Sequence, residues 1–299
     1  MAVTDPSLNE STSSFQPSAN AERLGDILYA LRRNPITIVG LSLILIIALA
    51  GIFAPWIAPY GPLEKNLAHT SEPPSAEFWM GTDPFGHDIY SRILYGARLD
   101  LFIAITAVAL SFVVGSILGA ISGFIGGAVD EATMRGMDVL QAFPRFIFAM
   151  GIAFALGPGV GTVIIATSVL NIPGYARLMR TMVASLKERQ FAMAAKAAGN
   201  SPSRVLFRHL LPNSLAPLFV MATLHCGWAI LEAAGLSFIG LGVPVPTAEW
   251  GVMINIGLQD FLRGDWWGYT FPGIAIGITV LGFNLVGDGL DDILDPRRK

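Results

Sequence analysis

Glu232 stands nearly alone as an ionisable side chain well inside a long apolar run, Ile230-Leu231-Glu232-Ala233-Ala234. An ionisable group at the centre of a membrane-spanning helix costs about 2.5–3.5 kcal/mol on the insertion scale, so its presence needs a reason. It can line a transport path or tune a gate. Equally, it can be hydrogen-bonded to a neighbouring helix or lie close enough to the outer interface to be wet. Other reactive groups do not converge. His69, His87, His209 and His225 are scattered and form no His-Glu-x-x-His run, the pattern that puts two zinc ligands on one helix face. Ser237 lacks the flanking pattern of a nucleophile elbow. There is no Gly-x-x-x-x-Gly-Lys-Ser/Thr phosphate loop, and the single Cys226 can form no disulfide within the chain. The residues therefore point to no catalytic, cofactor or metal site in this chain.

The elements that hold these residues follow from composition. Of 299 residues, 14% are charged and 53% apolar, with a mean hydropathy of +0.58. A soluble domain carries about a quarter charged residues; this chain would have too little charge to cover its surface. The net charge of -3 argues against a nucleic-acid partner. The remaining class is an all-α polytopic membrane protein. Apolar runs at 36–53, 101–123, 146–156, 162–170, 215–240 and 271–286 predict six transmembrane helices, at about 20 residues per span. The third and fourth reach full length only by extending inward, to about Arg135 and Tyr175, on either side of the turn Gly157-Pro158-Gly159-Val160-Gly161. In outline, residues 1–34 form a cytoplasmic tail, 35–55 the first span, 56–99 an extracytoplasmic loop, 100–287 a core of five helices and 288–299 a second cytoplasmic tail.

Orientation follows from the Lys and Arg bias of the loops. With the N-terminus inside, only Lys65, Arg92, Arg98 and Arg263 of the 19 basic residues fall outside, and Arg145 falls within the third span. Asp138 and Arg145 flank Pro144 and are expected at the inner interface. Residues 1–20, rich in Ser, Pro, Asn and Thr, read as a disordered tail. Ala48-Leu49-Ala50 resembles a signal cleavage site, but apolar sequence continues beyond it and favours an uncleaved span. In the second span Ser111, Gly115, Gly119, Gly123 and Gly127 recur every four residues. Such a row lets helix backbones approach closely, and packing within the chain is its simplest use.

The loop between the fourth and fifth spans, 181–213, is the most informative stretch. Phe191-Ala192-Met193-Ala194-Ala195-Lys196-Ala197-Ala198 is strongly helix-forming, and Gly199 suits the left-handed position after a helix end. Ser201-Pro202 reads as the cap and first residue of a second helix, predicted to end at Leu211 before Pro212. Val205, Leu206 and His209 are expected to face inward, with Arg204 and Arg208 on an adjoining face. A helix–turn–helix this small must dock on something: anionic lipid or a socket on another subunit. The small side chains of Ala194, Ala195 and Ala198 favour the socket.

This loop resembles the EAA motif of ABC-importer permeases: Glu-Ala-Ala, three residues, Gly, nine residues, then Ile-x-Leu-Pro. Ala194, Ala195, Gly199, Leu211 and Pro212 fall on that spacing; Met193 replaces Glu and His209 replaces Ile. Gly81-Thr82-Asp83-Pro84-Phe85-Gly86-His87-Asp88, continuing through Ser91-Arg92 to Tyr95-Gly96-Ala97-Arg98, resembles a signature of dipeptide and oligopeptide "C"-type permeases, with His87 in place of Arg. Leu236-Ser237-Phe238-Ile239-Gly240-Leu241-Gly242, Glu249-Trp250-Gly251 and 283–290 match other stretches of the same subunits, although Asp291 replaces a usual Arg. The resemblance covers 25–299.

The resemblance implies a type I ABC importer permease fold in the bacterial cytoplasmic membrane. It implies a second, homologous permease subunit sharing the path, two ABC ATPase subunits that hold ATP and Mg, and an extracytoplasmic peptide-binding protein. The permease itself would hydrolyse nothing and hold no cofactor. Ala194, Ala195, Ala198, Gly199, Leu211 and Pro212 would form the ATPase-coupling surface in loop 191–212. His87 and Asp88, in the outer loop, would contact the binding protein or belong to a folded cap that positions the second span. The rival is a secondary transporter driven by an ion gradient. It would need further buried carboxylates or broken helices at midplane and has no use for a helix–turn–helix plug.

Overall fold

Pro35 opens the first helix, α1 (Pro35–Ile52), and Asn34 caps it, its Oδ1 accepting from the Ile36 and Thr37 N–H groups. That satisfies donors which the first helical turn leaves free. The computed structural model describes residues 34–294. The expected tail before Asn34 and the basic residues Arg297, Arg298 and Lys299 lie outside the described residues.

A short turn, α2 (Ala54–Ile57), leads into a long outer segment. Asp88 then caps α3 (Ile89–Ile125) by accepting from the Ser91 N–H. This helix has 37 residues and is about 55 Å long, against a hydrocarbon core of about 30 Å. It begins well before the apolar run at 101, so the boundary expected at residue 99 falls inside it. Hydrophobicity hid its first turns because Arg92 and Asp100, both buried, are accommodated by polar partners rather than by water.

Two shorter helices follow, α4 (Gly127–Gln141) and α5 (Arg145–Leu156), bent by 88° at the break before Arg145. The third span is therefore no straight inward extension to Arg135. Pro144, with an extended backbone, disfavours a helical conformation for the residue before it. At 12 residues, α5 is about 18 Å long and too short to cross alone. Next come α6 (Val160–Leu186), α7 (Gln190–Ala197) and α8 (Pro202–Phe238). The chain closes with α9 (Trp250–Gly257), a 3₁₀ turn (Leu258–Arg263) and α10 (Trp267–Leu294).

Among the described residues the fold is helical, with one isolated antiparallel bridge between Thr82 and Asp88. Four helices among the described residues are long and apolar enough to cross a membrane: α1, α3, α8 and α10. Taking the bent α4–α5 pair as one span makes five. The expected sixth corresponds to α6, which is long enough but whose apolar run is diluted by Asn171, Pro173, Gly174 and Arg177.

The centre of the fold is the pairing of α3 with α6. A Cβ on Gly115 would lie 2.6 Å from the Tyr175 Cβ, and one on Gly123 would lie 2.5 Å from the Arg180 carbonyl oxygen. One on Gly119 would run into the Ala176 carbonyl. The glycine row is thus an intrachain packing surface, as expected, except that Gly127 has open space beside it and belongs to the α3–α4 break. Ser168 Oγ donates to the Ala107 carbonyl across the same interface at 3.0 Å. Around this pair, α8 packs on α3, α6 and α10, while α1 lies outermost against α10.

Candidate functional site

The loop between α6 and α8 folds as a helix–turn–helix. Gly199 has φ 80°, the left-handed value predicted for it, and Ser201 caps the second helix by accepting from the Arg204 N–H. Ala192, Ala195, Val205, Leu206 and Leu210 form the hairpin's buried face, which is continuous with the main helix core that includes Met179, Val183 and Leu218. Val205 and Leu206 face inward as expected; His209 is half-buried and Leu210 completes the inner face. Ala195 belongs to this core and is not available for docking. Ala194, Ala198, Gly199 and Pro212 are exposed and Leu211 is half-buried. Phe191, Met193 and Phe207 are exposed beside them. A Cβ on Gly199 would meet nothing within 4 Å.

The second helix does not stop at Leu211. It opens into a π turn over Val205–Leu210, where the Leu211 N–H donates to the Leu206 carbonyl, and then runs on unbroken to Phe238. Pro212 lacks an N–H and its ring crowds the preceding turn; the wider turn provides room for it. Asn213 Nδ2 donates to the His209 carbonyl and Ser214 Oγ to the Leu210 carbonyl, supplying partners in the altered turn. The hairpin and Glu232 therefore lie on one continuous helix.

Glu232 is paired across helices. Arg145, at the start of α5, donates from Nε (3.2 Å) and Nη2 (2.5 Å) to Glu232 Oε1, and from Nη2 to Asn171 Oδ1 on α6 (2.9 Å). Arg145, expected at the inner interface, thus ties α5 to α6 and α8. Asn171 lies 11 residues into α6, about 16 Å from that helix end. The Arg145 side chain remains 52% exposed, whereas Glu232 is 12% exposed. A cavity of about 200 Å3 beside it is lined by Arg145, Asn171, His225 and Trp228. Glu232 Oε2 and His225 Nδ1 are buried without a hydrogen-bond partner. His225 packs edge-on against Tyr175, ring centroids 5.0 Å apart. Sequence reasoning found Glu232 but missed the cluster, because Arg145 is 87 positions away and reaches it only through the fold. Asn171, polar within an apolar run, was the available signal.

At the opposite end, the Gly81–Arg98 signature builds a folded cap. Asp83 Oδ1 accepts from the Phe85 and His87 N–H groups, and Asp83 Oδ2 is hydrogen-bonded to His87 Nδ1 at 2.7 Å. Gly81 and Gly86 take φ 77°, and a side chain on Gly86 would strike the Asn66 carbonyl. Arg92, buried, donates to the Pro62 and Thr247 carbonyls and so ties two outer segments to α3. His87 is 0% exposed and Asp88 3%. Neither presents a surface to a binding protein; both belong to the cap that positions α3. Burial raises the Asp88 carboxyl above its ordinary range, opposed by the hydrogen bonds from Ser91.

A buried acid pair secures the next segment. Asp100 Oδ2 accepts from the Trp250 N–H at 3.1 Å and Glu249 Oε2 from the Val252 N–H at 2.7 Å, so two carboxyls meet the first turn of α9. That helix end favours negative charge, but burial raises Glu249 above the usual carboxylate range.

Lower down, Asp130 binds Arg180 Nε and Nη2 (2.6 and 2.5 Å) and Asp138 binds Arg177 (2.7 Å), clamping α4 to α6.

Residues 115–299 match the family described as binding-protein-dependent transport system inner membrane component. Residues 23–74 match the N-terminal transmembrane domain of oligopeptide transport permease C. A dipeptide transport system permease protein of Alkalihalophilus pseudofirmus is 46% identical over 269 residues, covering 90% of this chain and 88% of that protein. A probable D,D-dipeptide transport system permease protein of Escherichia coli is 39% identical over 291 residues, 97% of each chain. An oligopeptide transport system permease protein of Bacillus subtilis is 39% identical over 295 residues, 95% of this chain and 96% of that protein. These relatives do not favour the ion-driven carrier. The exposed hairpin, the capped outer segment and these likenesses agree: the chain belongs to the binding-protein-dependent inner-membrane permeases, in the oligopeptide permease C branch, and is a multi-pass permease subunit of an ABC importer.

Proposed function

We propose that the chain forms half of a peptide path and is driven through loop 191–212 by cytoplasmic ATPases. A second, homologous permease supplies the other half. ATP and Mg are held by two ATPase subunits, an extracytoplasmic binding protein delivers a dipeptide or oligopeptide, and this subunit performs no catalysis. The names of the relatives support the substrate class. The Lys and Arg bias supports cytoplasmic termini and a cytoplasmic hairpin. Six spans follow if the bent α4–α5 pair crosses once and α6 crosses beside α3.

The observation that carries this reading is the hairpin's construction. Its inner face is already buried against the main helix core, yet Ala194, Ala198 and Gly199 leave a surface of small side chains exposed. An open groove of about 730 Å3, lined by Leu186, Glu188, Arg189, Gln190 and Phe191, adjoins it. A partner biases the transporter only through contacts that differ between its states, and a surface of small side chains permits close, switchable docking. Ala194→Cys and Ala198→Cys should crosslink to the ATPase in the assembled transporter, with a yield that changes on nucleotide binding. Gly199→Trp should lower uptake at least tenfold beyond Gly199→Ala, which carries the backbone strain without the bulk. Absence of both effects removes the coupling role.

A further inference from the structure

The polar cluster around Arg145 has the chemistry of a receptor for a carboxylate. The Arg145 side chain is just over half exposed, yet its guanidinium bonds Asn171 at the middle of α6. A charged head in that position is costly against lipid, so the face carrying Arg145 and Trp228 fits a water-filled path or a subunit seam. Only one side of the guanidinium fork is engaged: Nε and Nη2 hold Glu232 and Asn171. A guanidinium fork matches a carboxylate in two parallel hydrogen bonds. On the other side of the pair, Glu232 Oε2 is buried with no partner, and His225 Nδ1 likewise.

We infer that Arg145–Glu232 is a displaceable ion pair that reads solutes carrying a free carboxylate beside an ammonium group. The entering carboxylate takes the place of Glu232 on Arg145, and the released Glu232 receives the ammonium. The exchange keeps the cluster neutral, whereas a cationic solute adds a net charge and an uncharged one has no carboxylate to replace Glu232 on Arg145. The cavity, about 200 Å3, falls below the ≈ 300–1,000 Å3 typical of sites that enclose a whole drug-sized ligand, and therefore accepts an end group. Trp228, 59% exposed, gives that end group an apolar wall. This inference rests on the proposed path reading of the Glu232 face.

The test uses the complete transporter with its binding protein in proteoliposomes, comparing ATP-driven uptake of dialanine and dialanine amide. Holding the binding protein constant cancels its own preference between variants. Arg145→Gln should lower the dialanine-to-amide uptake ratio about tenfold, and Arg145→Lys should keep it within about threefold of wild type. Glu232→Gln, which frees the guanidinium, should raise the ratio, and it keeps the test alive if Arg145→Gln fails to assemble. The exchanged pair Arg145→Glu with Glu232→Arg separates reading from architecture: restored dialanine uptake shows a structural pair and overturns the inference. Equal loss of both solutes, or an unmoved ratio in Glu232→Gln, overturns it too. Labelling of Trp228→Cys by a membrane-impermeant thiol reagent tests the underlying reading on its own. No labelling in either transport state removes the path assignment; labelling with an unmoved ratio removes only the carboxylate reading.

Discussion

Several residues carry ionisable groups where charge is expensive, and three of them are handled differently. Arg92 is enclosed by backbone carbonyls with Asp83 4.0 Å away. Arg145 is half open and holds a carboxylate. Glu249 is buried at a helix start beside Asp100, where two carboxyls cannot both ionise cheaply. Burial raises the Glu249 carboxyl from its ordinary 4.5, so the folded chain holds that proton more tightly than the unfolded chain. The stability it contributes is full below about pH 4.5 and is lost as pH rises through the raised value. Thermal unfolding of the detergent-solubilised transporter should therefore decline more steeply from mildly acid to alkaline pH in wild type than in Glu249→Gln. Parallel curves would show that Glu249 is ionised in the folded chain across that range, as it is in the unfolded chain, and that burial does not hold its proton. His87 teaches the opposite lesson about signature residues: a polar residue in a motif on the outer side is enclosed rather than presented.

At the scale of elements, the α3–α6 contact sets what the sequence must keep small. A methyl on Gly119 collides with the Ala176 backbone, and overpacking of this kind costs about 1–3 kcal/mol. Gly136, exposed on α4 with nothing within 4 Å, has room for the same methyl and should gain up to about 1 kcal/mol of helix propensity. Gly119→Ala should lower the unfolding temperature of the complex, and Gly136→Ala should leave it unchanged or higher. The hairpin was legible because Gly199 and Ser201-Pro202 act through their nearest neighbours. The π turn was not, since Pro212 reads as a stop unless the wider turn and the partners Asn213 and Ser214 supply are known. The early start of α3 was hidden for a related reason: hydropathy counts Arg92 and Asp100 as exposed, whereas the cap and α9 bury them. The break before Arg145 was marked by Pro144, but its 88° angle was not legible, and the Asp130 and Asp138 clamps beside it join α4 to positions far along the chain in α6.

Across the whole molecule, the outer segments form one layer bolted to the helix ends. Ser71 Oγ donates to Asp260 Oδ2, Trp267 Nε1 to the Thr82 carbonyl and Trp250 Nε1 to the Ile93 carbonyl. With His87 and Asp88 enclosed, this layer presents Leu67 (75% exposed) and Leu262 (95%) instead. A photoreactive residue at Leu67 or Leu262 should capture the binding protein in the assembled transporter, and one at His87 should not; the reverse pattern would return the contact to the signature. The uninterrupted α8 has a mechanical meaning. From Phe207 in the π turn to Glu232 there are about 25 residues, a lever arm of about 38 Å. Tilting that arm by about 5° sweeps its far end through about 3 Å, the length of a hydrogen bond. On the proposed coupling, a small rocking of the hairpin would reach the Glu232–Arg145 pair through this one helix, with no relay of intermediate side chains between them.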